Sequence, residues 1–296
     1  MIRGQPLKFK RRKIMATFTN KATLSYNGGS TDSNTVTGVF QEALSATKTP
    51  LETSYEIGQR VVYVLSLINS GASSLSGVNI ADDLGAFDVG GNTVYPLDYD
   101  GIIAYYINGI LQPAPTVSSE NGLNISGISV PAGGNATIIY ETIVNAFAPP
   151  MAQGTITNTA TITGNGIPEP ILAVATISTL DAPVLSITKA LSPTSVGENG
   201  EITYTLTIQN SGNTPAVATD NLVVSDIFDP VLDISSVTLN GTPLVQGTDY
   251  TYNEASGEFA TNIGVITLPE ATYTPLPDGS YSITPATATL VIVGTI

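Results

Sequence analysis

The 296-residue chain is 42% apolar and only 11% charged, which excludes a disordered tail and leaves room for one large domain or two ordinary ones. It has no His and no Cys, so the commonest general base, the commonest zinc ligand, disulfides and thiolate metal sites are all excluded, and no metal or cofactor is expected. The net charge of −14 disfavours nucleic acid as a partner, and no apolar run is long enough for a bilayer-spanning helix, so membrane insertion is not expected either.

Taken in chain order, the first element is a basic head. Arg3, Lys8, Lys10, Arg11, Arg12 and Lys13 account for six of the ten basic residues. No apolar core follows them, so this is not an ordinary secretory signal. Residues 1–15 are expected to be a disordered leader, with Met15 as an alternative start. Residues 16–43 read as a strand or hairpin and a linker: Phe18-Thr-Asn20-Lys-Ala22-Thr-Leu24-Ser-Tyr26 alternates apolar and polar positions ahead of an Asn27-Gly28 turn.

Two copies of one unit follow, a first β-sandwich repeat over 44–180 and a second over 181–296. Gly58-Gln-Arg-Val-Val-Tyr63-Val-Leu-Ser-Leu-Ile-Asn69-Ser-Gly71 aligns without a gap on Asn199-Gly-Glu-Ile-Thr-Tyr204-Thr-Leu-Thr-Ile-Gln-Asn210-Ser-Gly212. Lys48 then matches Lys189, Val78-Asn-Ile-Ala-Asp82 matches Leu222-Val-Val-Ser-Asp226, and Ala136-Thr-Ile-Ile-Tyr140 matches Ala288-Thr-Leu-Val-Ile292. Short alternating strands and Asn-Gly turns at Asn108, Asn165 and Asn240 predict an all-β chain of two tandem immunoglobulin-like sandwiches.

The second sandwich is expected to lack its final strand. In the first copy Gly154-Thr-Ile-Thr-Asn158-Thr-Ala-Thr-Ile-Thr163 follows the strand ending near Val144, whereas the corresponding strand of the second copy ends at Ile296. Its counterpart stands at the other end of the sequence, where Phe18, Asn20, Ala22 and Leu24 match Ile156, Asn158, Ala160 and Ile162. The chain therefore reads as a two-domain array shifted by one strand, with that strand donated to the second domain of the next molecule. The link from Asn20 to Lys48 resembles the one from Asn158 to Lys189, which joins successive domains in a row; this favours a filament over ring closure or an ordinary edge strand of the first domain.

Read by period two, Lys48, Asp82 and Asn158, with Lys189, Asp226 and Asn20, all fall on inward, apolar strand faces. A buried Lys and Asp must pair or be driven toward neutrality. In the second case the uncharged amine is a nucleophile, the protonated acid polarises a carboxamide, and an Asn becomes the electrophile, so that ammonia leaves and an amide bond joins two strands.

Lys near the first strand, Gly-x-x-Val-x-Tyr, Asn-x-Gly, Val-x-Val-x-Asp and a closing Thr-Asn-x-Ala-Thr together resemble the bacterial surface repeat called domain of unknown function eleven, and are similar to isopeptide-forming fimbrial domains of Gram-positive bacteria. The resemblance covers about 16–296. By position it implies a Lys48–Asn158 bond within one chain with Asp82 as the promoting acid. It also implies Lys189 and Asp226 awaiting Asn20 of another chain. Glu141 is a rival acid, although its counterpart is Val293. The expected function is a structural, non-enzymatic appendage subunit that polymerises with itself at the cell or spore surface. The chain has no recognisable signal peptide or wall-sorting tail, so release by mother-cell lysis and an incomplete start are both entertained. The alternative is a monomeric adhesin or carbohydrate-binding module using Asp98, Asp100, Tyr99, Tyr105 and Tyr106. Asp82-Asp83 is the weak candidate for calcium.

Overall fold

The computed structural model describes residues 17–39 and 43–296, so the leader expected over 1–15 lies outside the described residues. Among them, the sole helical element is the 3-10 turn Ala218–Asp220, and no helix is long and apolar enough to cross a membrane. The rest is strand and turn.

The chain opens with a narrow two-stranded unit: β1 (Thr17–Asn20), β2 (Thr23–Tyr26), β3 (Gly29–Asp32) and β4 (Val36–Val39). β1 pairs with β4 and β2 with β3, so these four segments form one irregular hairpin closed by Asn27-Gly28. Phe18 lies opposite Gly38, where a Cβ would meet its ring, and Asn20 lies opposite Val36.

The first sandwich follows. Its strands are β5 (Leu44–Pro50), β6 (Ser54–Tyr55), β7 (Arg60–Asn69), β8 (Leu75–Asp82), β9 (Phe87–Val89), β10 (Asn92–Val94) and β11 (Leu97–Ile107). They continue with β12 (Ile110–Leu111), β13 (Thr116–Ser118), β14 (Leu123–Val130), β15 (Asn135–Val144), β16 (Thr155–Thr163) and β17 (Ile171–Thr179). One sheet runs β12-β11-β15-β7-β5 and faces a second that runs β13-β14-β8-β16-β17-β6. Alternation along β7 and β15 sends every second side chain inward, among them Val61, Tyr63, Leu65 and Leu67. The resulting core is one continuous cluster, to which β16 and β17 contribute Ile156, Ala160, Ile162, Ala173, Ala175 and Ile177. Asn108 and Gly109 both have positive φ, as the tight turn between β11 and β12 requires.

The second unit has β18 (Leu185–Ser192), β19 (Glu201–Asn210), β20 (Ser225–Ile227), β21 (Asp233–Leu239), β22 (Thr242–Pro243), β23 (Tyr250–Asn253) and β24 (Glu258–Thr261). β25 (Thr272–Pro275), β26 (Tyr281–Thr284) and β27 (Ala286–Thr295) complete it. Its sheet β18-β19-β27-β21-β22 reproduces the order β5-β7-β15-β11-β12 of the first domain. The opposite sheet is reduced to β20-β24-β23. Among the described residues, β16, β17 and the two-residue β6 have no counterpart in this sheet, where the sequence pattern picked out only the first. The core accordingly splits into two clusters, one around Phe228 and Leu290 and one around Ile208 and Ile266.

The repeated Asn-Ser-Gly stretch proves structural. Asn69 bonds the carbonyls of Ser73 and Val130, while Asn210 bonds those of Thr214 and Pro269 and accepts from Val184 N and Gly212 N. The domains meet end to end: Asn213 Nδ2 reaches the carbonyls of Pro150 and Leu180 and the Asp181 carboxylate. The β25–β26 hairpin, which replaces the short Pro131–Asn135 loop of the first copy, touches β9 and β10, since a Cβ on Gly279 would meet Val89 and Val94.

Candidate functional site

Three elements converge inside the first sandwich. β5 supplies Lys48, β8 ends in Asp82, and β16 carries Asn158. β8 and β16 are neighbours with Asp82 opposite Ala160, so Asn158 lies one inward position farther along β16. The period-two reading of the sequence placed all three side chains inside, and all three residues are buried.

Lys48 Nζ lies 2.6 Å from Asp82 Oδ2, with both side chains fully removed from solvent. The Tyr140 hydroxyl donates to the same oxygen, and Leu84 N donates to Oδ1 at 3.1 Å. The ammonium sits over the Tyr63 ring, 4.8 Å from its centroid. Burial pushes Lys48 below the ordinary lysine range, against the opposing pull of Asp82. It pushes the Tyr63 and Tyr140 hydroxyls up.

Asn158 borders this network without a hydrogen bond to it. Both hydroxyls interact electrostatically with its carboxamide. Yet neither Nδ2 nor Oδ1 makes a hydrogen bond, and the Tyr63 hydroxyl also lacks a bonding partner among the described residues. A fully buried, unbonded carboxamide carries a desolvation cost of about 1–3 kcal/mol. The site thus sets an amine whose charge is disfavoured on the inner face of one sheet, and a carboxylate bonded to it and a carboxamide with no hydrogen bonds on the inner face of the other.

The second domain repeats half of this arrangement in the open. Lys189 Nζ pairs with Asp226 Oδ2 and lies 4.4 Å from the Tyr204 ring centroid, but its side chain is 39% exposed and that of Asp226 18%. Inner-face positions of β18 that are covered in β5 are bare: Leu185 is 41% exposed and Ile187 52%, whereas Leu44 is 5% exposed. Ile292 occupies the place of Tyr140, so Asp226 receives no phenol. Asn20, expected to fall on an inward face, is exposed in the N-terminal hairpin opposite Val36. Phe18 and Leu24 are 50% and 65% exposed, and Ala22 is exposed as well. Within one chain the structure does not bring Asn20 to Lys189.

The rival candidates have other employment. Glu141 points away from Lys48 and toward Arg60. Asp83 accepts from Gly85 N and Thr159 N, shaping the turn after β8, while Asp82 is committed to Lys48. Tyr105 is buried and bonded to Ser129, and Asp100 pairs with Arg60. Tyr63 and Tyr140 were missed by sequence reasoning; the shared Tyr63/Tyr204 position was the available signal.

No protein-family model matches the sequence, and no curated protein matches it. Solved structures with similarity to the chain include the major pilin subunit BcpA of Bacillus cereus, 11% identical over 91% of this chain and 73% of that one, with a TM-score of 0.34. The RrgB pilus backbone of Streptococcus pneumoniae is 10% identical over 84% of this chain, with a TM-score of 0.33, and the chain spans 49% of its length. A family 123 glycoside hydrolase from Clostridium perfringens also matches, 10% identical over 46% of this chain and 27% of its own, at a TM-score of 0.30. Likeness at this level carries no argument about what the chain does.

Proposed function

We propose that this chain is a structural subunit of a surface appendage. It polymerises head to tail by lending its N-terminal segment to the second domain of a neighbour, and Lys–Asn amide bonds lock both domains. The observation that supports this is the contrast between two copies of one site. In the first domain Lys48, Asp82 and Asn158 are sealed in a closed core. In the second, Lys189 and Asp226 are paired at an open edge, and the Asn that matches Asn158 by sequence is Asn20, on an exposed hairpin.

The chemistry balances without a cofactor. A proton moves from the Lys48 ammonium to the Asp82 carboxylate, leaving a neutral amine. Nζ attacks Cγ of Asn158, the Cγ–Nδ2 bond breaks, and Nδ2 departs as ammonia with protons relayed through Asp82. Each site reacts once, so the chain is not an enzyme in the sense of turnover. Lys189, Asp226 and a neighbour's Asn20 repeat the step between molecules.

The test is the intact mass of purified protein boiled in denaturant, beside Lys189→Ala and Asp82→Asn. Covalent multimers lighter by one ammonia per bond are expected. Lys189→Ala should leave only monomers that have lost one ammonia, and Asp82→Asn should retain that ammonia in the first domain. Unmodified monomer throughout would sink the cross-linking chemistry.

A further inference from the structure

The open edge of the second domain is two strands wide, and the N-terminal unit is two strands wide. We infer that residues 17–39 enter the cleft of a second copy as a preformed hairpin, with β1–β2 beside β20 in the place of β16 and β3–β4 beside β18 in the place of β17. The inference rests on the head-to-tail reading and specifies what docks and in which register.

The pairing within the β1–β4 part of the hairpin matches the pairing it would replace, and the β2–β3 part is offset from it by one residue. Asn20 lies opposite Val36 as Asn158 lies opposite Ala175, and Phe18 opposite Gly38 as Ile156 lies opposite Ile177. Directly opposed residues share a face, so Asn20 and Val36 line one side of the β1–β4 part, and by alternation Leu24 and Tyr26 share a side of the β2–β3 part. The apolar members of that set are 65%, 61% and 57% exposed in chain order.

One strand would not close the cleft. In the first domain β16 pairs with β8, while β17 is the strand that lies against β5. A lone β1–β2 strand would pair the free edge of β20 and leave Leu185 and Ile187 on β18 as bare as they are now. Both strands are needed to bring the second domain to the burial of the first.

The occupant comes from another molecule because this one cannot reach. Leu44 pairs with Asn69 at the end of the first domain remote from the second, whereas Glu56, Ile57 and Pro150 face the second. With the hairpin kept closed, Asn20 lies at most about 32 Å from Leu44: five linker steps and three along β4 to Val36, then the step across to β1. The way along the ten residues of β7 and then four residues into β18 is about 45 Å.

The register follows from the first domain. Asp82 opposes Ala160 and Asn79 opposes Thr163, which places Ala22 opposite Asp226 and Ser25 opposite Val223. Both Ser25 and Val223 are exposed in the single chain.

The chain has no cysteine, so an engineered pair reports without competition. In a Lys189→Ala background, which removes the amide bond, Ser25→Cys and Val223→Cys proteins are mixed and oxidised. A disulfide-linked dimer is expected. Adding Val36→Asp to the Ser25→Cys protein should lower its yield at least tenfold, whereas Thr37→Asp, on the opposite face, should leave it within twofold. An unchanged yield with Val36→Asp overturns the two-stranded hairpin while the head-to-tail reading stands. No dimer from the parent pair overturns both.

Discussion

Lys48 is held in a box whose walls are aromatic and whose floor is a carboxylate, and each contact has its own consequence. The Tyr63 hydroxyl interacts with the Asn158 carboxamide and has no hydrogen-bond partner among the described residues. It is placed to donate to the oxyanion that forms on Oδ1 during attack. Tyr63→Phe should therefore slow formation of the Lys48–Asn158 bond by about 10²-fold, the scale of losing one such donor, with the fold intact by circular dichroism. The rate is read as ammonia loss over time after refolding. The depressed Lys48 gives a second expectation, for Asn158→Ala, which keeps the amine free. The folded state releases the Lys48 proton below the ordinary value of 10.5, so over that window the unfolded state binds more protons and stability rises with pH. Tyr63 and Tyr140 are shifted above their ordinary value of 10.0, so above that value the folded state holds the extra protons and stability falls. The melting temperature should climb as pH approaches 10 and drop beyond it, and Lys48→Met should remove the climb. The Lys, Asp and Asn were legible in the sequence because a polar residue on an apolar strand face is improbable at one position and more so at two matched ones. The tyrosines were not, because a strand tyrosine fills a core whether or not its hydroxyl is used.

At the scale of the element, equal sequence does not ensure equal structure. Leu222-Val-Val-Ser-Asp226 alternates like Val78-Asn-Ile-Ala-Asp82, yet β8 runs for eight residues and β20 for three. A strand is defined by its neighbours: β8 lies between β14 and β16, whereas β20 has β24 on one side only. Its outer edge carries unpaired backbone groups, the kind of edge that recruits another chain. The partner requirement is a tertiary property and cannot be read from the segment. The need for β17 is likewise tertiary: its alternating Ile171-Leu-Ala-Val-Ala-Thr-Ile177 pattern reads as a strand, but that it covers β5 is seen only in the fold, and β25–β26 have no counterpart in the first copy to align with. One local constraint holds the site's strand in place. Gly122 has φ +79°, and a Cβ there would come within 2.6 Å of the Asp82 carbonyl oxygen. Gly122→Ala is expected to destabilise the first domain by about 1–3 kcal/mol and to displace Asp82. In an Asn158→Ala background, urea unfolding measures the first effect without interference from a covalent bond.

At the scale of the molecule, the two domains are joined by more than a peptide. Asn213 bonds Pro150, Leu180 and Asp181, and also accepts from Ala182 N. The matching residue of the first copy is Ala72, so a junction between molecules would lack this knot. Asn213→Ala should widen the spread of interdomain angles seen by small-angle scattering and lower the stability of the junction by about 1–2 kcal/mol. Assembled material should bend preferentially where molecules meet, which images of native filaments would record.

The position of Lys48 near the start of the first domain and of Asn158 near its end has a mechanical meaning. In a filament of the proposed kind, tension would enter this domain through β5 and leave through β16 and β17 toward β18. With Nζ of Lys48 bonded to Cγ of Asn158, the pull passes from β5 directly into β16, and the residues between 48 and 158 are slack. Their hydrogen bonds then need only resist heat and solvent, and force can lengthen the domain only through residues 44–47 and 159–180, outside the bridge.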